Sequence, residues 1–421
     1  MATALGIVNM LGESIRCLDL SGNMLGKINE TTFHSLNNLK WLYLSETNLS
    51  FAAESNPFEH LNNLKTLHIS YNNLTSLNIS LLSKTLSNLE EFRAAGNHID
   101  NVLGIIHSLG SNLWALDFSQ SIIGTLNLST FERFEHLYWL NLSDTHLEHF
   151  NVNPLRVSRL DISRNNLKRL NVDLLSHTLR SLEYFYAADN YFENTAEIIQ
   201  HLESNLYELD ISGNYMGKLN ETTFERTQNV ERLSLRRTNL SISDVKPFET
   251  MQFWLDLDIS KNNLKKLNFS TSIVFRTLEE MNLSENYLTQ LDGLNKHSFP
   301  KLTKLDITNN NLNCTHLFMF RREWDRLEII GDPCTEIENN ETRSQTDTES
   351  ERDYFIHGSW YERNYFIYGS LALVICSISC ALAVYCFRKH RKRAGLTNFE
   401  TGDVDGLNPQ CPLDVQADLL P

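Results

Sequence analysis

One short pattern recurs along most of this chain and restricts its fold more than any other feature. Ile15 to Leu25 reads IRCLDLSGNML, with apolar residues at positions one, four, six and eleven and an asparagine at position nine. A constant period of this kind predicts stacked units that cannot bury their apolar faces alone. The pattern starts again in steps of 24 or 25 residues, with one step of 20, at Leu39, Leu64, Leu89, Leu113, Leu137, Val157, Leu182, Leu206, Val230, Trp254, Leu278 and Leu302.

Each unit is predicted to begin with a short strand, because apolar residues alternate around position five. Position nine follows the strand, where a side-chain amide or hydroxyl can satisfy backbone groups in the turn. It holds Asn23, Thr47, Asn72, Asn97, Ser121, Thr145, Asn165, Asn190, Asn214, Thr238, Asn262, Asn286 and Asn310. A second apolar element follows, with Phe33, Phe58, Phe131, Phe224, Phe248 and Phe275 at its centre. The sequence therefore predicts an α/β solenoid, a horseshoe with a parallel sheet on its concave side.

The repeats also predict the layout of the N-terminal end. Residues 15–312 hold thirteen repeats, and residues 1–14 resemble the back half of a unit whose strand is absent. The match is between LGIVNMLG from Leu5 and LGIIHSLG from Leu103. We expect the chain to begin inside a longer array, with a cap and a leader upstream; the alternative is a start codon of an unusual short form. The first residues lack the basic region of a signal peptide.

An uncharged, mostly apolar run over residues 365–387 predicts a single transmembrane helix, since about 1.5 Å per residue suffices for a bilayer core of about 30 Å. The basic RKHRKR of Arg388 to Arg393 follows it. The positive-inside rule places that cluster in the cytoplasm. We therefore expect a single-pass type I protein of the plasma membrane, with extracellular repeats, an acidic stalk over 335–364 and a short cytoplasmic tail over 388–421.

The anchor and tail suggest two further features. Cys386 lies beside the basic cluster, where S-palmitoylation is common; the alternative is an inert thiol. Ala372, Cys376 and Cys380 form a stripe of small residues that permits helix pairing in a homo- or heterodimer; the alternative is a lipid-facing surface. The tail shows no folded-domain pattern, so any signal is expected to pass through a partner or through clustering.

Glycosylation sequons precede the predicted span, and the tail has none. This distribution favours the secretory route. The predicted glycosylation sites are Asn29, Asn48, Asn73, Asn78, Asn127, Asn220, Asn239, Asn268 and Asn340. Asn141 and Asn282 are sequons at strand positions, where a glycan would shield part of the concave face.

Residues 313–334 are predicted to cap the last repeat. Cys314 and Cys334 would close a loop of about 20 residues, a constraint of about 3 kcal/mol in the chain-entropy model. This segment resembles the C-terminal caps of extracellular leucine-rich-repeat proteins, although those often carry four cysteines. Cys17 is then the odd cysteine before the span. It pairs upstream, pairs between chains or stays free.

The motif, the cap and the anchor together resemble a transmembrane leucine-rich-repeat receptor. The resemblance is to the ectodomains of Toll-type receptors and of related arthropod immune and adhesion proteins, without the cytoplasmic Toll/interleukin-receptor domain. It implies a cell-surface protein that binds a protein ligand or co-receptor, with a role in innate immune recognition. The alternative function is cell adhesion through homophilic or heterophilic contacts.

Candidate binding residues lie at the strand positions, which face outward on the concave side. Exposed aromatic residues dominate many interfaces, but neighbouring rings also stack on one another. Aspartates at position five form an acidic row that could attract a basic partner or remain a solvated face. The candidate ligand-binding residues are Trp41, Tyr43, Trp139, Tyr184, Tyr186, Asp117, Asp161 and Asp210.

Other function classes lack support in the sequence. We find no glycine-rich phosphate loop, zinc motif or GxSxG elbow, so we expect no enzyme, cofactor or metal site. The net charge of −15 opposes nucleic-acid binding. The expected partners are therefore proteins and, through the anchor, a membrane.

Overall fold

The repeats form one long parallel sheet. The computed structural model describes residues 8, 12, 14–52, 54–251, 253–270, 274–313, 317, 324 and 326–331. Successive repeats contribute neighbouring strands, so the strand order follows the chain. The fourteen strands are Cys17–Asp19, Trp41–Tyr43, Thr66–His68, Glu91–Arg93, Ala115–Asp117, Trp139–Asn141, Arg159–Asp161, Tyr184–Tyr186, Glu208–Asp210, Arg232–Ser234, Asp256–Asp258, Glu280–Asn282, Lys304–Asp306 and Glu328–Ile330. The last of these lies in the segment predicted to be the cap.

Strand register repeats from unit to unit. Thr66 pairs with Glu91 and His68 pairs with Arg93, and equivalent positions pair along the whole sheet. A smaller parallel sheet pairs Lys27–Ile28 with Ser50–Phe51. The result is a parallel-sheet solenoid of the leucine-rich-repeat type, as the periodicity predicted.

Short helices occupy a few of the segments that return from one strand to the next. They are Ile79–Asn88, Val102–Ser108, Ser176–Ser181 and Thr195–His201, with a 3-10 turn at Lys246–Phe248. Asn78 caps the first of them, since its side chain accepts a hydrogen bond from the Leu81 amide at 3.3 Å. No helix among the described residues is long and apolar enough to cross a bilayer.

Several predicted features fall on residues that the structure does not describe. They are the span at 365–387, the stalk, the tail, the stripe of small residues, Cys314, Cys334, Cys386 and Asn340. Within the predicted cap, Leu317 and Trp324 are buried against the core.

The core is a continuous stack of apolar side chains. The central strand residues, such as Leu18, Leu42 and Phe92, are buried. The predicted phenylalanines belong to a second column that also includes Phe299, which was not predicted. Phe275 and Phe299 stack with ring centroids 5.0 Å apart. Because such aromatic contacts join successive repeats, they stabilise the array rather than any single unit.

The position-nine side chains form the predicted ladder. Asn72 accepts hydrogen bonds at Oδ1 from the amides of Thr47 and Leu49, and donates from Nδ2 to the carbonyls of Leu44 and Ile69. Its six polar contacts range from 2.7 to 3.1 Å, and the side chain is buried. From Asn72 onward, the asparagines of the ladder therefore join their turns to the preceding repeat. The position-nine threonines instead donate to a carbonyl of their own repeat, and the buried Ser121 hydroxyl has no hydrogen-bond partner among the described residues.

Position eight adopts a left-handed backbone in all thirteen repeats, which the sequence analysis missed. Glycines occur there at Gly22, Gly96 and Gly213. Side chains as large as those of Tyr71 and Arg164 also adopt positive φ, at 57° and 54°. This conformation costs about 1 kcal/mol or more for a residue with a Cβ, so ladder hydrogen bonds must hold the turn in place.

We expect Gly110→Ala to lower the free energy of unfolding by about 2 kcal/mol. A Cβ at Gly110 would lie 2.1 Å from the Ser87 carbonyl oxygen, so the backbones of two repeats would have to separate. Urea denaturation would measure the change. Gly104→Ala is the control, because its Cβ would meet only the terminal methyl of Ile79 and it lies within a helix. An equal loss in both variants would contradict the prediction.

Candidate binding surface on the sheet

Two rows of side chains cover the outer side of the fourteen-stranded sheet, which we call the sheet face. They come from motif positions three and five, on either side of the buried central residue of each strand. Neighbouring strands lie about 4.8 Å apart, so residues at one position form a row across the repeats. Interactions on this face therefore join residues that are about 24 positions apart in the chain.

The position-five aspartates have a structural role in the turns that end the strands. The Oδ1 atom of each accepts a hydrogen bond from the backbone amide two residues later, as Asp161 does from Ser163 and Asp210 does from Ser212 at 2.9 and 3.0 Å. Asn141 makes the same bond to Ser143. The aspartate row is thus built into the turns that end the strands, whether or not it also binds a ligand.

Three tyrosines and one arginine form a tyrosine cluster near the middle of the sheet. Tyr184, Tyr186 and Arg159 lie on the sheet face, and Tyr207, at position two, immediately precedes its strand at the edge of that face. The Arg159 guanidinium lies 5.4 Å from the ring centroid of Tyr184 and 5.2 Å from that of Tyr186. Tyr184 packs against Tyr207 at 6.3 Å. Tyr207 is 43% exposed, which leaves aromatic surface available to a partner.

Glutamates accept hydrogen bonds from the hydroxyls of Tyr186, in the tyrosine cluster, and of Tyr138, outside it. Tyr186 donates to Glu208 Oε2 at 2.9 Å, and Tyr138 donates to Glu183 Oε2 at 3.1 Å. Burial, with the adjacent negative charge of Glu183, raises the pKa of Tyr138 to about 12. Burial likewise raises the pKa of Tyr186, and Glu208 adds to the shift. Both hydroxyls therefore remain protonated donors at physiological pH.

Nearer the N-terminal end, His68, Glu91 and Arg93 form a charge cluster. Glu91 is fully buried, and its Oε1 lies 2.9 Å from His68 Nε2 and 2.7 Å from Arg93 NH2. Two aromatic rings cover these groups: Tyr43 packs edge-on against His68 at 4.7 Å, and the Arg93 guanidinium lies 4.1 Å from the Trp139 centroid. Glu91 and His68 are thus shielded from solvent, while the Arg93 side chain is 21% exposed.

The pKa values of two neighbouring carboxyl groups in this region shift in opposite directions. Burial alone would raise the pKa of Glu91, but hydrogen bonds and charge from His68 and Arg93 hold it below its usual range. Burial raises the pKa of Asp117, and the hydrogen bonds from Ser119 and the charges of Arg93 and His68 offset only part of this effect. Glu91 is therefore the carboxylate that the charge cluster stabilises in its ionised form.

Toward the C-terminal end, the sheet face contains a depression of about 350 Å³, which we call the acidic depression. Two cations lie within it and form ion pairs, Arg232 with Asp256 and Lys304 with Glu280, each at 2.9 Å. The hydrogen bond that Arg232 Nε donates to Asp256 raises the pKa of Arg232. Six carboxylates line the depression: Glu208, Asp210, Asp256, Asp258, Glu280 and Asp306. Negative charge therefore exceeds positive charge there.

All eight predicted ligand-binding residues lie on the sheet face, but they do not form one site. Trp41, Trp139, Tyr184, Tyr186, Asp161 and Asp210 are half-buried. Tyr43 and Asp117 are buried, at 7% and 8% exposure, and present little surface to a partner. The sequence analysis missed Arg159 and the charge cluster. Their signal was the presence of charged residues at the outward-facing positions, with Glu91 at position three and His68 and Arg93 at position five.

The sequon asparagines that the structure describes are exposed and lie off the sheet, apart from Asn141 and Asn282. Asn29, Asn78, Asn127, Asn220 and Asn268 share one motif position beyond the turn, and Asn48, Asn73 and Asn239 share position ten. No sequon occurs between Asn141 and Asn220. The tyrosine cluster lies in this stretch.

Other candidate groups were also located. Cys17 is buried and disulfide-bonded, and its partner lies outside the described residues. No group of three or more histidine, cysteine, aspartate or glutamate side chains in the described part of the chain could hold a metal ion.

Comparisons with known proteins agree with this architecture. Residues 13–74 match the leucine rich repeat family model, and no curated protein matches the chain in sequence. The leucine-rich repeat domain of APL1B is similar at a TM-score of 0.54 and 19% identity, over 85% of this chain and 97% of that one. A chain of the LRIM1/APL1C complex gives 0.53 and 19%, over 93% and 68%.

A chain of the TLR13-ssRNA13 complex is similar at a TM-score of 0.54 and 23% identity. The match covers 75% of this chain and 50% of that one, so this chain spans half of its length. At these identities the likenesses concern the fold. The periodic strands, the asparagine ladder and these matches together show that the chain has the leucine-rich-repeat fold.

Proposed function

We propose that this chain is a single-pass cell-surface protein whose repeats bind a protein ligand or co-receptor in innate immune recognition. The observation that carries the proposal is the tyrosine cluster, which places aromatic surface on the sheet face. Tyrosine supplies a large contact area at little entropic cost and is enriched among the residues that dominate interfaces. Leucine-rich-repeat solenoids are interaction scaffolds, so binding rather than catalysis is the function of this surface.

The surroundings of the tyrosine cluster support its use as a binding surface. The stretch between Asn141 and Asn220 carries no sequon, so no glycan attached there would cover the rings. A glycan at Asn141, if present, would direct a partner toward the strands that follow it. Arg159 already holds Tyr184 and Tyr186 in place, so little side-chain entropy would be lost on binding.

Related folds support a protein partner. One similar structure is of a complex between two proteins, LRIM1 and APL1C. Another contains TLR13 with single-stranded RNA. The net charge of −15 and the acidic depression disfavour RNA for this chain, since phosphates would be repelled from its sheet face.

Cell mixing separates receptor function from adhesion. The full-length chain would be expressed in tagged cells, which would then be mixed with non-expressing cells. We expect no clustering, together with surface display of the chain. Clustering of expressing cells only with each other would replace the proposal with homophilic adhesion, and absence from the cell surface would overturn the membrane assignment.

We expect Tyr184→Ala/Tyr207→Ala to weaken ligand capture at least tenfold, because it removes the two contacting rings of the tyrosine cluster. Binding of cells that display the full-length chain to a panel of purified secreted and cell-surface proteins would identify the ligand and measure the change. Tyr287→Ala is the matched control, since Tyr287 is 53% exposed and lies off the sheet. Unchanged capture by the double variant, with surface display intact, would contradict the sheet-face assignment.

A further inference from the structure

The sheet face beyond the tyrosine cluster has no partner among the described residues, and its charges specify what kind of segment would fit it. Two of the six carboxylates in the acidic depression are neutralised by Arg232 and Lys304. Four remain: Glu208, Asp210, Asp258 and Asp306. This surface therefore attracts cationic groups and repels anionic ones.

The three remaining aspartates are held in fixed positions. Oδ1 of Asp210, Asp258 and Asp306 accepts a backbone hydrogen bond at 3.0, 2.8 and 2.9 Å, from the residue two positions later. Oδ2 of Asp258 accepts a further hydrogen bond from Asn282 at 3.3 Å. Oδ2 of Asp210 and of Asp306 accepts none from a described residue. These carboxylates are thus oriented, with acceptor atoms still available.

The spacing of these aspartates matches the repeat of one particular backbone conformation in a bound segment. Asp210, Asp258 and Asp306 lie at the same position on alternate strands, and Ser234 and Asn282 lie between them. Two strand spacings amount to about 9.6 Å. A polyproline II segment rises about 3.1 Å per residue with three residues per turn, so every third residue returns to the same side after about 9.3 Å.

We propose that the acidic depression docks an extended basic segment of a protein partner, running across the strands with lysine or arginine at every third position. This inference rests on the proposed function and names the chemistry of the partner. One end of the segment lies beside the tyrosine cluster, where Tyr207 offers a ring to a further cation. The Arg159 guanidinium over Tyr184 and Tyr186 shows that this chemistry already operates within the chain.

Fluorescence anisotropy with labelled peptides tests the proposal on the full-length chain, deglycosylated so that no glycan at Asn282 covers the depression. The first peptide has four Arg-Pro-Pro units, which place arginine at every third residue of a polyproline II helix. The second has the same composition with its four arginines consecutive. We expect the spaced peptide to bind at least tenfold more tightly than the block peptide.

Asp210→Ser/Asp306→Ser removes two of the oriented charges while leaving a hydroxyl that can accept the turn hydrogen bond, and we expect at least a tenfold loss of binding to the spaced peptide. Serine avoids the sequon that asparagine would create before Ser212 or Thr308. Asp19→Ser controls for the turn, because Asp19 makes the same bond outside the depression. Glu132→Gln/Glu135→Gln, at exposed positions off the sheet, controls for net charge.

We expect both controls to bind within twofold of the unaltered chain. Equal binding of the two peptides, or an equal loss in the charge control, would overturn the proposal in favour of non-specific attraction. Failure of the spaced peptide to bind at all would also overturn it. The proposed function would survive these outcomes if Tyr184→Ala/Tyr207→Ala still abolished capture of a protein ligand.

Discussion

Asn72→Ala is expected to lower the free energy of unfolding by about 3–4 kcal/mol. The Asn72 side chain is buried and serves polar groups in two repeats, including the amides of Thr47 and Leu49 and the carbonyls of Leu44 and Ile69. Alanine can replace none of these bonds. Each buried group left without a partner costs about 1–3 kcal/mol, and relaxation of the turn recovers part of that cost.

The matched control is Asn23→Ala, at the same motif position in the first repeat. Asn23 is half-buried, and among the described residues its side chain donates only to the carbonyls of Leu20 and Ser21, at 3.1 and 3.3 Å. Its loss should cost less than about 1 kcal/mol. Urea denaturation followed by circular dichroism measures both midpoints, and hydrogen exchange at Thr47 and Leu49 reports local opening. Equal shifts for the two variants would show that the ladder bonds do not determine stability.

The ladder and the strands could be predicted because they repeat. An apolar residue at position four of each unit faces the core wherever it occurs, so the pattern at Leu18 also describes Leu160. From Asn72 onward, the side-chain amide of an asparagine at position nine bonds its own repeat and the preceding one, and Asn72 and Asn262 do so with equivalent contacts. Periodicity supplies many observations of one local structure, and this is why the fold could be predicted from a single chain.

The left-handed turn at position eight was harder to predict, because its occupants vary. Gly96 suggests positive φ, yet Glu46 and Tyr71 adopt it too. The conformational propensity of a single residue does not predict the positive φ here, because tertiary hydrogen bonds override the local preference. Only the recurrence of glycine at this position in several repeats carried the signal.

The sequence predicted which motif positions form the sheet face, but not which residues on it are exposed. Which residues on it remain exposed depends on neighbours from other repeats. Tyr43 was predicted to bind a ligand, but it is buried because its ring packs against His68. Glu91 belongs to an outward-facing row and is nonetheless fully buried, because His68 and Arg93 contact it and Trp139 packs against Arg93. Such contacts combine residues of four repeats, and no single repeat contains them.

Glu91→Gln is expected to lower the free energy of unfolding by about 3 kcal/mol at pH 7. The substitution leaves Arg93 beside a neutral amide, without the carboxylate that balances its charge. Breaking a buried ion pair from one side typically costs about 3–5 kcal/mol, and the amide of glutamine retains some of the hydrogen bonding. Glu90→Gln is the adjacent control. The Glu90–Lys65 pair, at 3.0 Å, has both side chains 41% exposed, so its loss should cost less than about 1 kcal/mol.

The pH dependence identifies the carboxylate responsible. The pKa of Glu91 is lowered in the folded chain from its ordinary value of 4.5, so its stabilising contribution is complete above that value. The contribution is lost as the pH falls through the lowered pKa, because the unfolded chain binds the proton first. Urea midpoints of the unaltered chain and of Glu91→Gln should therefore converge below about pH 4.5. A gap that persists unchanged to pH 3, or an equal gap for Glu90→Gln, would show that the stabilisation does not come from the Glu91 charge.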